Sequence, residues 1–166
     1  MIKSRDTEPG AVEGWLWFFQ RTQTWGQLLE IKYKNISFTQ FLEDINNFGT
    51  GLYDLNFQNK RIAIISKNRY EWALSYISIL MGNMVAVPLD KGLTEIEIEN
   101  SIIRSKAEVI IFDNGMEEII SNIKANGKTE LTDYICMEEN LKYKNLYDII
   151  ENGKKMRSEG NSEYEN

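Results

Sequence analysis

The sequence predicts an α/β domain, a parallel sheet with flanking helices. Three observations carry this reading. The runs Arg61–Ser66 (RIAIIS), Met84–Leu89 (MVAVPL) and Glu108–Asp113 (EVIIFD) are continuous and rich in β-branched residues, as in strands buried on both faces. Between them lie segments whose apolar residues recur at three- and four-residue steps, the period of an amphipathic helix. The resulting alternation of strand and helix implies right-handed crossovers, hence a parallel sheet covered by helices.

Taken in order, residues 1–34 show no regular pattern. The stretch GWLWFFQRTQTWG packs Trp15, Trp17, Phe18, Phe19 and Trp25 together. Its alternation of Trp15, Trp17 and Phe19 suits a strand, an aromatic cover over a core edge, or a membrane-surface element. The last would call for a basic polar face, and only Arg21 is close. From residue 36 the pattern becomes regular. ISF is read as a short strand and Thr39 as the N-cap of a helix, whose hydroxyl accepts from a first-turn amide. Phe41, Leu42, Ile45, Phe48, Leu52 and Leu55 supply that helix's apolar face. NFQNK is a turn, and Arg61–Ser66 follows as a buried strand. Asn68–Gly82 is the next helix, with Trp72, Tyr76, Ile79 and Leu80 on one side and Gly82 closing it in the left-handed conformation. Met84–Leu89 is a second buried strand, with Val85 and Val87 inside and Pro88 at its end, because proline has no amide for the ladder.

A Thr94-x-x-Glu97 capping box opens the following helix, whose stripe is Ile98, Ile102 and Ile103. Glu108–Asp113 is the third strand. MEEIISNIKAN is a helix closed by Gly127, Asp133–Met137 (DYICM) is a fourth strand, and NLYDIIENGKK is a last helix. The tail MRSEGNSEYEN is polar and expected to be mobile.

Composition narrows the chemistry. The 166 residues are 42% hydrophobic, enough for a sizeable core, and the net charge of −6 offers no basic footprint for nucleic acid. No apolar stretch reaches the ~18 residues of a membrane span, and MIKSRDTEPG lacks the apolar centre of a signal peptide. A cytoplasmic location is expected, and the lone Cys136 excludes an internal disulfide. The absence of histidine excludes Ser-His-Asp and Cys-His nucleophile systems and imidazole-based zinc sites.

In open parallel sheets ligands bind beyond the carboxyl ends of the strands. Three such ends are visible: Ser66–Asn68, Leu89–Gly92 and Asp113–Gly115. Neither a dinucleotide fingerprint nor a Gly-x-x-x-x-Gly-Lys-Ser/Thr phosphate loop is present. Ser66, Lys67 and Arg69 could meet an anion at a helix N-terminus or form a solvated turn and helix start, the favoured reading. Asp90 and Asp113 could act as an acid–base pair, although turn and cap roles suit Asp better. Cys136 reads as a small buried hydrophobe with no cation nearby to lower its pKa. No catalytic, cofactor-binding or metal-binding residue is therefore assigned.

The order of segments resembles the N-terminal part of the adenylate-forming (AMP-binding) enzymes: acyl-CoA synthetases, peptide-synthetase adenylation domains and luciferases. ISFTQFLEDINNFGTGLYDL is similar to that family's opening strand and helix, and KRIAIISKNRYEWALSYISIL to its next strand and helix. LMGNMVAVPLD resembles the motif Leu-Lys-Ala-Gly-Gly-Ala-Tyr-Val-Pro-Ile/Leu-Asp, on which Leu80, Val87, Pro88, Leu89 and Asp90 fall. Asn83 and Met84 stand where the family has small residues. NRYEW, VPLDK and YDIIENGKKMRSEGNSEY lean toward the long-chain fatty acid-CoA ligase branch.

The resemblance implies 35–155 as a partial AMP-binding domain, between a divergent aromatic-rich segment, 1–34, and a polar tail, 156–166. It implies that the full-length enzyme uses ATP, Mg and CoA to convert a fatty acid to its acyl-adenylate and then its thioester. It also implies that the Val-Pro-Leu-Asp joint is scaffold. The family's phosphate loop and catalytic lysine match nothing here, so the chain is expected to be an N-terminal fragment, inactive alone. Self-association or pairing with the missing C-terminal part is expected too. The alternative is a non-catalytic α/β interaction module.

Overall fold

A computed structural model describes residues 35–165; the expectations for residues 1–34 lie outside the described residues. Five strands form one sheet in the order β2-β1-β3-β4-β5, all parallel. In chain order the elements are α1 (Phe38–Asp54), β1 (Arg61–Ile65), α2 (Tyr70–Met81), β2 (Val85–Pro88), α3 (Glu95–Ser105), β3 (Val109–Phe112), α4 (Glu117–Asn126), β4 (Asp133–Cys136), β5 (Lys144–Asn145) and α5 (Leu146–Ser158). Single 3-10 turns follow β3 (Asn114–Met116) and α5 (Glu163–Glu165).

Alternation along the strands splits the core into two layers. Ile62, Ile64, Val109, Ile111 and Ile135 face α1, α2 and α5, where Phe48, Leu52, Leu74, Ile79 and Leu146 meet them. Ala63, Ile65, Ile110, Phe112 and Cys136 face α3 and α4, against Ile98, Ile102, Ile120 and Ile123. The sheet is thus covered on both faces, as a continuous apolar run through β1 and β3 requires.

Several local expectations change. Residues 36–38 form no strand: α1 begins at Phe38, and Ser37, not Thr39, caps it by accepting from the Gln40 amide. The extended Ser37 backbone lies one turn before the amide it serves. Leu42 on α1 and Ile103 on α3 are exposed, not buried. On α2 the buried face is Glu71, Leu74, Ser75, Ser78 and Ile79. Trp72 and Tyr76 are half-buried and stack on each other, and Leu80 is exposed. Small hydroxyls replace aromatics at that interface because they satisfy themselves on helix carbonyls: Ser75 donates to Glu71 O and Ser78 to Ile45 O of α1.

Gly82 does not adopt the left-handed conformation (φ −106°); Asn83 does, at φ 50°. The strand β2 lies at the sheet edge, so Val85 is 49% exposed and Val87 only partly buried. Pro88 does end it, as proline's missing amide predicts. The Thr94–Glu97 box forms in both directions, and Gly127 closes α4 at φ 64°. α5 runs on through Ser158, and beyond it Tyr164 is buried in the core, so the polar tail is anchored there and not loose.

Candidate functional site

Each crossover leaves its loop at the carboxyl edge of the sheet, and the chain reverses direction across the sheet between β1 and β3. That reversal point is where open α/β sheets form a ligand crevice. Here it is bridged. Asp113, buried at the end of β3, accepts a hydrogen bond at 3.0 Å from the amide of Lys67, just past β1. Ser66 donates its hydroxyl to the Lys67 carbonyl. Both residues are spent on fixing the turn between β1 and α2.

Asp90 sits apart in an exposed turn, accepting from the Gly92 amide at 2.8 Å. It and Asp113 have separate backbone partners, and each fills the turn-stabilising role that aspartate suits. The acid–base pairing of these two carboxylates is not formed.

Arg69 is the one candidate that enters a wider network. Extended at the head of α2, it donates Nε to Glu71 at 2.6 Å and Nη1 to Glu138 beyond β4. Glu138 also accepts from the Asn114 amide at 2.8 Å. Glu71 takes a second bond, from the Tyr147 hydroxyl of α5 at 2.5 Å. Burial opposes the charge on Glu71, yet the bonds from Arg69 and Tyr147 outweigh it and hold its carboxyl below the usual range. Burial, then the bond to Glu71, push Tyr147 up to about 12. The guanidinium is therefore neutralised by two carboxylates and does not await an anion.

A cleft of about 660 Å³ opens beside this network, walled by Arg69, Glu71, Glu138, Asn140 and Tyr147. Sequence reasoning named Arg69 but missed Glu71, Glu138 and Tyr147. Their meeting depends on the lateral order β1-β3-β4-β5 and on α1, α2 and α5 packing on the same face of the sheet, which spacing does not reveal. Cys136 is buried as expected; burial first, then the carboxylates of Glu138, Glu117 and Asp113, raise its thiol, which lies 3.0 Å from Asn114 Oδ1. Among the described residues no group of three or more carboxylate or thiol side chains gathers to hold a metal ion, and no helix is long and apolar enough to cross a membrane.

The architecture is a parallel α/β layer matching the N-terminal part of adenylate-forming enzymes. The family model for AMP-binding enzymes matches residues 18–160, and the chain belongs to that family. No curated protein matches the sequence. Among solved structures, an anthranilate CoA ligase in complex with anthranoyl-AMP superposes with a TM-score of 0.66 at 20% identity, over 72% of this chain and 23% of that one. A coronafacic acid ligase from Pectobacterium brasiliense gives 0.62 at 27% identity, over 71% and 25%. A long-chain-fatty-acid-CoA ligase from Archaeoglobus fulgidus gives 0.64 at 12% identity, over 74% and 25%. The chain thus spans about a quarter of the length of the structures it matches.

Proposed function

We propose that this chain is the N-terminal α/β scaffold of an acyl-CoA synthetase of the long-chain fatty acid type. In the full reaction a carboxylate oxygen attacks the α-phosphate of MgATP, pyrophosphate leaves, and the CoA thiol then displaces AMP to give the thioester. The observation that supports this reading is the AMP-binding match over residues 18–160, on a sheet shared with CoA ligases.

The described residues provide structure and not chemistry. Ser66, Arg69, Asp90 and Asp113 are each engaged by the fold's own groups. Adenylyl transfer needs positioned cations around the phosphates; at the sheet's carboxyl edge Arg69 is already paired, and Lys67 and Lys91 are exposed on separate loops. We therefore assign no ATP, Mg or CoA ligand here and expect the 166-residue chain to be inactive alone. The test incubates it with MgATP, palmitate and CoA and measures pyrophosphate. Release at the no-enzyme level is expected; release well above it would overturn the scaffold reading.

The second reading, a non-catalytic interaction module, draws on the exposed Leu80 and Met81 at the end of α2 and Val85 at the start of β2. A discrete dimer that persists on dilution and binds no ANS-type dye would favour it, since a bare fragment edge associates progressively and binds the dye.

A further inference from the structure

We propose that Tyr164 occupies a built aromatic site between α1 and α2, and that this site takes a para-substituted phenol when the segment after α5 is displaced. The inference is independent of the ligase reading. It starts from two glycines. Gly49 lies inside α1, where glycine is a poor helix former. Gly82 follows α2 with φ −106°, a value any residue adopts. Backbone conformation requires glycine at neither position. The ring of Tyr164 accounts for the first and shares the second: the three atoms nearest to a Cβ built on Gly49 all belong to that ring and would overlap it, and a Cβ on Gly82 would lie 2.5 Å from it and 2.6 Å from Met84 Cε.

The slot also has a polar end. The Tyr164 hydroxyl donates to the Ser78 carbonyl at 2.8 Å. Ser78 lies in the last turn of α2, where carbonyls lose their helical partners, and the Gly82 amide that would serve it bonds Ile79 instead. Tyr53 supplies an aromatic wall, edge-on to Tyr164 at 5.4 Å and 88°, and is itself fixed by donating to the Gly82 carbonyl at 3.1 Å. A flat ring, an edge-on aromatic neighbour and one acceptor opposite the entry define a phenol site. Between Glu159 and Tyr164 only the tyrosine is buried, so the ring is the segment's main apolar anchor. Such a segment opens locally at less cost than the core.

The test uses full-length Tyr164→Ala with 4-methylphenol as the probe and tryptophan emission as the readout. Loss of the ring should lower Tm by roughly 6–12 °C. Millimolar 4-methylphenol should then raise the variant's Tm and leave the wild type's unchanged; 4-methylanisole, which cannot donate to Ser78, should do less. Gly49→Ala should destabilise the wild type, where it meets the ring, but stabilise Tyr164→Ala and abolish its response to the phenol. If Tyr164→Ala is unfolded alone, recovery of native emission on adding the phenol supports the site and no recovery overturns it. An unchanged Tm in Tyr164→Ala, no phenol response, or the same response with Gly49→Ala would also overturn it.

Discussion

Glu71 is a carboxylate only 9% exposed, held by a guanidinium on one oxygen and a phenol on the other. Removing one partner of such a pair leaves the other poorly solvated. Arg69 retains some exposure, so solvent recovers part of the loss. Arg69→Met should therefore cost about 1–3 kcal/mol in denaturant unfolding; no change would mean the pair is not formed in solution. The pH dependence has a definite sign. The carboxyl of Glu71 is depressed on folding, so its contribution is present above the ordinary carboxylate range and is lost as pH falls through the depressed value. Glu71→Gln should flatten the stability curve on the acid side, measured as Tm from neutral pH downward. Asp113 and Asp90 separate a buried role from an exposed one. Asp113→Ala orphans the Lys67 amide and should cost about 1–3 kcal/mol. Asp90→Asn keeps an acceptor for Gly92 and should cost little, with or without MgATP. Loss of an MgATP-induced rise in Tm in Asp90→Asn would place chemistry in that turn.

At the scale of elements, what could be read from the sequence was period and punctuation. The capping box of α3, the Gly127 closure of α4 and the interiors of β1 and β3 depend on residues within a few positions of one another, and each is found. What could not be read was lateral order. MVAVPL reads like RIAIIS, yet β1 is central and β2 is an edge. Pro88 is the one local sign of that difference. The amides of Val85 and Leu89 donate toward β1, so by alternation Ala86 and Pro88 face the side on which no strand pairs among the described residues. Proline removes one of the donors a further strand would need there. The face of α2 was misread for a related reason: Ser75 and Ser78 are buried by α1, a neighbour that helical period does not specify. The candidate site was legible only as loop positions, because its contacts join residues up to 76 positions apart. The edge placement sets a measurable contrast. Val87→Ala in partly buried β2 should cost about 1 kcal/mol, against about 2–5 for Ile111→Ala in fully buried β3. Equal costs in urea unfolding would contradict the edge assignment.

For the molecule as a whole the question is what its exposed apolar groups do. Phe38, Ile96 and Leu141 are exposed on separate elements, and scattered apolar residues of this kind are ordinary. Leu80, Met81 and Val85 differ, because they fall within six positions at the join of α2 to the edge strand. Contiguous apolar surface at an open sheet edge is a site of association. The family enzymes of known structure are about three times this length, and a chain of about a third of that length has fewer elements with which to cover an edge. The 166-residue chain is therefore expected to bind an ANS-type dye and to show a concentration-dependent shift in sizing. Pro88 hinders regular strand addition, so contact should run through side chains, and charge placed there should reduce it. Leu80→Glu with Val85→Lys should restore a monomer and lower dye binding while leaving Tm nearly unchanged, since both side chains are about half exposed in the fold. A sharp monomeric peak without dye binding in the unaltered chain would show that this edge is already covered, and association unaffected by the double variant would move the contact to another surface.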